Sequence, residues 1–284
     1  MTAISIDEAQ TLLQSHDLLG IGSRADEERR HRHGTRTTFV RVLELHVDAL
    51  PAALPTAFSA GEIRLVGKPA SIEDASTTIA HARALAGTHA LTAFSLDDLE
   101  GLSEGSRPRL RELFVALKSS GLETIAEAAV DALHDPVGTL RAARDAGLAV
   151  PRLTVRHLAG GEIIPLVQRA REMQAAAGGI RTFAPLPRVS SPSQPSTGYE
   201  DVKTVAVARL LCDTIDSVQV DWTLYGPKLA QVALTIGADD VDAVSPFEGN
   251  LGRRRSPIEE IRGNIIAAGQ EPIERDARFD VMQP

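Results

Sequence analysis

The stretch Gly198–Asp240 reads GYEDVKTVAVARLLCDTIDSVQVDWTLYGPKLAQVALTIGADD, and the fold can be read outward from it. Apolar residues recur at helical spacing over Tyr199–Ile215, which predicts an amphipathic helix. The alternation over Ser217–Trp222 predicts a short strand. A second helix is predicted over Pro227–Gly237, opened by its proline and ended by its glycine. The order helix, strand, helix, strand indicates a parallel α/β protein, of which a closed barrel is one form.

The composition is that of an ordinary globular protein. Of 284 residues, 43% are hydrophobic and 24% are charged, which excludes a disordered chain and suffices for a full core. The net charge of −8 argues against a dedicated nucleic-acid-binding protein. There is no apolar run long enough to span a bilayer and no basic-then-apolar leader, so we expect a cytoplasmic protein with no membrane partner.

The cysteine count limits the chemistry. Cys212 is the one cysteine in the sequence, which excludes a disulfide framework and a cysteine-based zinc site. An iron–sulfur cluster held in the usual way needs several thiolates and is excluded for the same reason. Cys212 lies on the apolar face of its predicted helix, so we expect a buried core residue.

Outside the first stretch, helices and strands continue to alternate. Ser5 is predicted to cap a helix that runs to Gln14, and Leu18–Gly22 to end that unit. A second, polar helix is predicted over Ala25–His33, closed by Gly34. The clustered basic residues His31, Arg32 and His33 are interpreted as a solvated helical face rather than a metal or phosphate site. Further predicted strands are Thr37–Val47, Glu62–Val66, His89–Phe94 and Val150–His157, and further predicted helices are Ser71–Ala86, Arg107–Ser119, Glu162–Ala177 and Ile258–Ala268.

Several motifs resemble one enzyme family. The matching residues lie in Arg209–Leu211, at Trp222 and Gly226, and in the run Ala230, Gln231, Leu234, Gly237, Ala238 and Asp240. Phe183–Leu186 and the ending Pro272–Asp276 match as well. These residues resemble the radical S-adenosylmethionine enzymes of menaquinone biosynthesis (aminofutalosine synthase and dehypoxanthine futalosine cyclase) and the related deazaflavin precursor synthases.

The resemblance implies a fold. It implies a (β/α)8 barrel with an N-terminal helical extension, and the eight candidate strands and the chain length agree with it. We therefore expect a single domain over residues 1–284, with the extension at 1–36 and the barrel at 37–284. The barrel is expected to be incomplete around its first strand–helix unit, for the reason that follows.

The family holds its cluster on three cysteines in a loop after the first strand, and the corresponding region of this chain differs. It reads HVDALPAALPTAFSAGE, with two prolines and no cysteine. Asp48–Gly61 is also short for a loop followed by a helix. We therefore expect that the cluster loop and most of the first helix are missing, and that the chain is a degenerate member with no bound cofactor.

A second departure concerns the family's glycine-rich run, which lets the backbone approach the nucleoside cofactor. Glu127–Asp131 stands in its place, and each glycine has gained a side chain. Because Ala and Glu are good helix formers, this segment is predicted to become a helical turn that fills the cofactor's room.

Three functions stay open. The first is a cluster-less pseudoenzyme that acts as a binding or scaffolding subunit, as a homodimer or with a cluster-bearing relative in futalosine-type menaquinone biosynthesis. The second is an enzyme that uses the barrel pocket for cluster-free acid–base chemistry on a nucleoside-like substrate. The third is a chain to which a partner lends cysteines.

The residues that could serve the second function lie where predicted strands end, because barrel sites form at the carboxyl ends of strands. For each of them an ion-paired residue or a helix cap is the commoner role. Trp222 could stack on a ring, but a core position is at least as common for tryptophan. The polar candidates are His46, Asp48, Asp98, Arg156, His157, Arg188 and Asp221.

The missing first helix also predicts an interface. A parallel strand without its helix exposes apolar side chains, and such patches mark interaction surfaces. The residues available for this patch are Ala49, Leu50, Ala53, Leu54 and Phe58. The basic run Gly252–Arg255 is interpreted as a solvated turn.

Overall fold

A computed structural model describes residues 3–158, 163–189, 197–248 and 257–282 of the chain. Within them, eight parallel strands pair in sequence order, and β8 pairs with β1, which closes a barrel. A short ninth strand lies parallel to the first residues of β1. The strands are β1 Arg36–His46, β2 Glu62–Val66, β3 Leu91–Ser95, β4 Thr124–Ala129, β5 Arg152–Val155, β6 Thr182–Pro187, β7 Ser217–Asp221, β8 Asp240–Val244 and β9 Glu271–Glu274.

Helices cover the outside of the barrel, as the (β/α)8 prediction requires. Two of them precede β1 and form the N-terminal extension. The helices are α1 Ile6–Gln14, α2 Leu18–His33, α3 Ile72–Ala86, α4 Leu96–Leu102, α5 Arg107–Ser119, α6 Pro136–Asp145, α7 Ile163–Ala177, α8 Gly198–Leu211, α9 Trp222–Leu234 and α10 Pro257–Ala267. The basic run Gly252–Arg255 and the predicted helix start at Glu162 lie outside the described residues.

Side chains near the helix starts fix several boundaries. The Ser5 and Ser71 hydroxyls accept from backbone N–H groups of the first turns of α1 and α3, as the sequence predicts. The prediction that Leu18–Gly22 ends the first unit is wrong. Asp17 Oδ1 accepts from the Gly20 N–H at 2.9 Å, and this cap starts α2 at Leu18.

The second helix of the opening stretch begins earlier than predicted. Asp221 caps α9 by accepting from the Leu224 N–H at 2.8 Å, so the helix starts at Trp222 rather than at Pro227. Gly226 takes a φ of 77° directly before the proline and kinks the helix there. A residue that precedes proline disfavours helical dihedral angles, which explains the position of the kink.

Glu127–Asp131 does not form the predicted helical turn. Thr124–Ala129 is strand β4, paired with β3 on one side and with β5 on the other. Helix propensity is a weak preference, and pairing with two neighbouring strands overrides it. Glu127 therefore stands at the carboxyl end of a barrel strand.

The connection from β1 to β2 lacks an α-helix throughout residues 47–61, all of which are described. It holds one 3-10 turn, Val47–Ala49, and then runs irregularly. The expected open flank is partly covered, because Leu50, Leu54 and Phe58 are partly buried against the main core. The Phe58 ring lies 5.5 Å from the His89 ring. These side chains lie where the missing helix would lie, while Ala49 and Ala53 of the predicted patch are exposed.

The main hydrophobic core lies between the barrel wall and the helices. Outward-facing residues of β2 and β3, such as Ile63 and Leu91, pack there with α3, α5 and α7. Cys212 is 1% exposed in this core, as predicted. Because side chains alternate along a strand, the polar residues between these apolar ones face the barrel axis.

Candidate functional site

A cavity of about 240 Å³ opens at the carboxyl ends of the barrel strands. Its lining residues are mostly polar and come from seven of the eight strand ends. This is the position at which (β/α)8 barrels carry their sites. The lining residues are Glu44, Arg64, Leu65, Val66, Gly67, Phe94, Ser95, Asp98, Ala126, Glu127, Arg156, Arg188 and Asp221.

On one side of the mouth, Arg156 follows β5 and reaches the first turn of α4. Its Nη2 lies 2.5 Å from Asp97 Oδ2 and 3.7 Å from Asp98 Oδ2. The Asp131 carboxylate accepts from the backbone N–H groups of Arg156 and His157, each at 2.7 Å, and so fixes this turn. Burial raises the pKa of Asp97, although Ser95 and Arg156 oppose the shift.

Arg188 follows the neighbouring strand β6, and its side chain reaches carboxylates on three other strands. Its Nη1 is paired with Asp221, while its Nη2 lies 3.2 Å from Glu127 Oε2 and 3.6 Å from Asp242 Oδ2. Burial would lower the pKa of Arg188, but Glu127, Asp221 and Asp242 outweigh it and raise that pKa. One guanidinium thus links the carboxyl ends of β4, β7 and β8.

A network of ion pairs fills the barrel below the mouth. Arg64 donates to both oxygens of Asp242, at 2.8 and 3.2 Å, and its Nε donates to Glu62 at 2.7 Å. Arg152 Nη2 lies 3.2 Å from Glu62 and 3.4 Å from Asp242. Thr92 donates to Glu62 at 2.6 Å. The four charged side chains come from β2, β5 and β8 and are almost wholly buried.

These pairs shift the carboxylate pKa values strongly. Burial would raise the pKa of Glu62, but Arg64 and Arg152 outweigh it and lower the pKa to about 2. For Asp242 the same two arginines overcome burial and hold the pKa well below its usual range. Both carboxylates are therefore ionised at neutral pH, and their lowered pKa values make them weak proton acceptors.

Two residues near the mouth take the left-handed backbone conformation that non-glycine residues rarely adopt. Phe94 has a φ of 59° near the end of β3, and Ala243 has a φ of 57° near the end of β8. Such strain costs of order 1–3 kcal/mol per residue and clusters at functional sites. Phe94 itself lines the cavity.

The structure brings together four of the predicted site residues and separates the rest. Asp98, Arg156, Arg188 and Asp221 line the cavity. Trp222 is 8% exposed and packs in the core beside β7 and β8, so it does not face the mouth. The remaining candidates His46, Asp48 and His157 are exposed and lie outside the cavity lining.

The buried network is the part of the site that the sequence reasoning missed. Its signal was present in the alternation of polar and apolar residues along the strands. Glu62-Ile63-Arg64 and Asp240-Val241-Asp242 place charges at every second position, and Arg152-Leu153-Thr154 repeats the pattern. In a barrel whose outer face packs against helices, such charges must face inward.

The residues present do not fit an iron–sulfur cluster in this barrel. The loop after β1 carries no thiolate, and Cys212 follows α8 and precedes β7, at the opposite end of the barrel from the mouth. In the ranges that the structure describes, no group of three or more His, Cys, Asp or Glu residues could hold a metal ion. Glu127, which stands where the resemblance led us to expect a glycine, pairs with Arg188 at the mouth.

A larger groove of about 790 Å³ lies outside the barrel, between the start of α5 and the start of α6. It is lined by four carboxylates and three arginines, of which Arg107 and Asp135 pair at 2.8 Å. Ser106 and Asp135 already cap the two helix starts. We therefore place the candidate site at the mouth, where charged groups converge, despite its smaller volume.

The closed parallel barrel with a polar mouth makes this chain a (β/α)8 barrel protein. Solved structures with the same fold are methylornithine synthase (TM-score 0.63, 15% identity, covering 95% of this chain and 94% of that one) and the FeFe-hydrogenase maturase HydG from Carboxydothermus hydrogenoformans (TM-score 0.66, 13% identity, 98% and 77%). At these identities the likeness concerns the fold alone. No protein-family model matches the chain.

Sequence relatives identify the group. The chain is 28% identical over 233 residues to the 5-amino-6-(D-ribitylamino)uracil–L-tyrosine 4-hydroxyphenyl transferase of Methanococcus aeolicus, covering 70% of this chain and 64% of that enzyme. It is 32% identical over 139 residues to the aminodeoxyfutalosine synthase of Streptomyces coelicolor, covering 41% and 36%. The chain is a relative of these radical S-adenosylmethionine enzymes, as its motifs predicted. The matched segments span less than two thirds of the length of either enzyme.

In the described part of the chain, the helices are too short or too polar to cross a bilayer.

Proposed function

We propose that this chain is a binding subunit of the futalosine and deazaflavin group of barrel proteins. It holds a small polar metabolite at the barrel mouth, carries out no radical chemistry itself, and acts beside a cluster-bearing relative of menaquinone biosynthesis. The observation that carries the proposal is the ion-paired mouth. Arg188 ties together the ends of β4, β7 and β8 at the place where the family admits its cofactor.

The number and position of the cysteines support the same proposal. Cluster binding needs several cysteines near the mouth, and Cys212 is buried at the other end of the barrel. Burial raises the pKa of the Cys212 thiol, so the thiolate form that a metal requires is disfavoured. Anaerobic reconstitution with iron and sulfide should leave the protein colourless. A brown protein with about four irons per chain would contradict the proposal.

The partner is tested separately. We expect the chain to form either a homodimer or a complex with a cluster-bearing aminodeoxyfutalosine synthase in light scattering after size exclusion. Leu50, Leu54 and Phe58 are only partly buried on the core, so the predicted patch stays a candidate for the partner contact. A chain that stays monomeric at high concentration, alone and with the relative, would refute the subunit role.

One observation favours a second candidate, cluster-free acid–base catalysis. Asp97 has a raised pKa and contacts Arg156, which lines the mouth. A carboxyl group with a raised pKa holds its proton to a higher pH than an ordinary aspartate, which suits a proton donor. Turnover of a nucleoside-like substrate by the chain alone, lost in Asp97→Asn and retained in Asp48→Asn, would favour this enzyme over the binding subunit.

A further inference from the structure

Three large apolar side chains are exposed at neighbouring strand ends beside the mouth. Val189 follows β6, Leu224 follows β7 and Phe247 follows β8, with exposed fractions of 47, 44 and 42%. Because β6, β7 and β8 are adjacent strands, the residues that follow them share one side of the carboxyl-terminal face of the barrel. Single exposed apolar residues need no explanation, but grouped ones mark interaction surfaces. We call these three residues the apolar rim.

Hydrogen bonds on both sides of Leu224 fix its position. The Thr223 hydroxyl donates to the Ala243 carbonyl of β8 at 2.6 Å. The Tyr225 hydroxyl donates to the Pro187 carbonyl of β6 at 2.6 Å. These two bonds tie the first turn of α9 to the strand ends on either side of it and leave Leu224 exposed between them. A protein that docks here meets a surface that is already ordered, which lowers the entropic cost of binding.

The mouth beside this rim carries an excess of negative charge. In its lining and in the ion pairs directly below it, six carboxylates face four arginines, namely Glu44, Glu62, Asp98, Glu127, Asp221 and Asp242 against Arg64, Arg152, Arg156 and Arg188. Lys68 follows β2 but lies beside Gly101 of α4, outside the lining. The charge of the mouth thus complements a positively charged group.

Glu44 remains available for a new ion pair. It is exposed and lines the mouth, and no described residue forms an ion pair or a hydrogen bond with its carboxylate. Arg64 stands opposite Glu44 in the strand register, yet its guanidinium pairs with Glu62 and Asp242 instead. An incoming cation therefore finds an unpaired carboxylate at the mouth.

A small ligand in the mouth would leave the apolar rim uncovered. The described lining of the cavity includes none of Val189, Leu224 and Phe247, so these side chains extend the surface beyond the cavity. An apolar area combined with charged groups at its edge is typical of protein–protein interfaces. A second copy of this chain is disfavoured, because a symmetric contact would bring two acidic mouths together. The charges therefore favour a different protein with a basic surface.

The connection from β1 to β2 adjoins the same surface. The Ser59 N–H donates to the Pro246 carbonyl at 2.9 Å, directly before Phe247. The patch that the sequence predicts on this connection thus lies next to the apolar rim, and one partner can contact both.

We propose that the apolar rim and Glu44 form a docking surface for another protein, which places a lysine or arginine side chain against Glu44 and apolar side chains against the rim. The inference rests on the proposed function, because it takes a partner protein as given. It adds the surface that the partner covers and the chemistry of the groups that the partner presents. A partner docked here also closes the mouth over the molecule that the mouth holds.

The test measures binding of the full chain to a cluster-bearing aminodeoxyfutalosine synthase by biolayer interferometry. Leu224→Asp and Phe247→Asp should each weaken the complex about tenfold or more, since each places a charge in an apolar contact. Glu44→Lys should weaken it at least as much, because like charges across an interface repel. All three positions are exposed, so circular dichroism should stay the same.

Matched controls make the same changes on α5, which lies between β3 and β4 and away from the rim. Val115 is an exposed apolar residue of this helix, and Glu112 is an exposed carboxylate. Val115→Asp and Glu112→Lys should bind the relative like the unmodified chain.

Salt dependence tests the ion pair of Glu44 by itself. Raising the NaCl concentration from about 0.05 to 0.5 M should weaken the complex of the unmodified chain more than that of Glu44→Gln, because salt screens exposed charges. The same salt dependence for both chains would overturn the role of Glu44.

The outcomes separate this surface from the proposed function. A complex that forms but responds neither to the rim variants nor to Glu44→Lys would overturn the docking surface and leave the subunit role standing. A homodimer that the rim variants dissociate would show that the surface meets a second copy, which overturns the basic partner. If the chain stays monomeric and does not bind the relative, the docking surface and the subunit role both fail.

Discussion

Replacement of Asp242 by alanine tests whether the buried network holds the barrel together. Asp242 accepts both hydrogen bonds of the Arg64 fork, at 2.8 and 3.2 Å, and lies 3.4 Å from Arg152. It is also 3.6 Å from Arg188. In Asp242→Ala, the guanidinium groups of Arg64, Arg152 and Arg188 lose the carboxylate that they share. Glu62 remains as a counter-ion for Arg64 and Arg152.

The expected loss in the free energy of unfolding can be estimated. Removing one partner of a buried ion pair costs about 3–5 kcal/mol, because the remaining charge stays buried and uncompensated. Domains unfold with about 5–15 kcal/mol in total, so the change removes a large share of the stability. At about 2–4 °C per kcal/mol for domains near this size, the melting temperature should fall by roughly 6–20 °C.

The assay is thermal unfolding followed by circular dichroism, with Asp48→Ala as the control. Asp48 is an exposed aspartate just after β1, so its removal should shift the melting temperature by no more than about 1–2 °C. The double variant Arg64→Met/Asp242→Leu removes both charges and should be less damaged than Asp242→Ala. A melting temperature for Asp242→Ala within about 2 °C of the control would refute the reasoning.

Three further predictions follow from the mouth, the first loop and the buried carboxylates. S-Adenosylmethionine should give no binding heat in calorimetry, because Glu127 and Arg188 occupy the mouth; micromolar affinity would contradict this. Phe58→Asp should lower the free energy of unfolding in urea by about 1–3 kcal/mol, because the ring packs on the core. Ala53→Asp, at an exposed position, should leave it unchanged. Equal effects of the two variants would show that Phe58 does not pack on the core. Glu62 has its pKa lowered from 4.5 to about 2, so its stabilisation is complete above about pH 4.5 and is lost as the pH falls towards 2; urea midpoints that stay constant from about pH 5 to 2.5 would argue against it.

Local signals in the sequence predicted many of the elements. Arg107–Ser119 is helical over the predicted bounds, with the Ser106 hydroxyl accepting from the Arg109 N–H at its start. The strand Glu62–Val66 also has its predicted bounds. In both cases the pattern of neighbouring residues is enough, because caps and alternation act within a few positions along the chain.

Other elements depend on contacts between distant segments. Thr124–Ala129 consists largely of alanine, threonine and glutamate, and it is a strand because β3 and β5 stand on either side of it. Phe58 lies in a segment without regular structure, and its burial follows from the shape of the flank that it covers. No local pattern distinguishes these cases from a helix or an exposed loop.

The candidate site also has one part that the sequence predicts and another that depends on contacts between distant segments. Asp98, Arg156, Arg188 and Asp221 were predictable as a group, because each follows a strand and the carboxyl ends of barrel strands meet. The buried ion-pair network below them was not predictable. Asp242 on β8 meets Arg64 on β2, which lies 178 positions earlier in the chain. The two strands flank β1, and only the closure and register of the barrel bring them together.

Two charges that are distant along the chain become one feature in three dimensions. Glu127 stands where the resemblance led us to expect a glycine run, and Arg188 follows β6. In the barrel they face each other, and their charges lie 3.2 Å apart across the mouth. Burying the Glu127 carboxylate without a nearby cation would cost free energy of folding. Burying the Arg188 guanidinium without its three carboxylates would cost free energy in the same way. Each charge therefore makes the other tolerable, so we expect that removing either one alone destabilises the mouth more than removing both together.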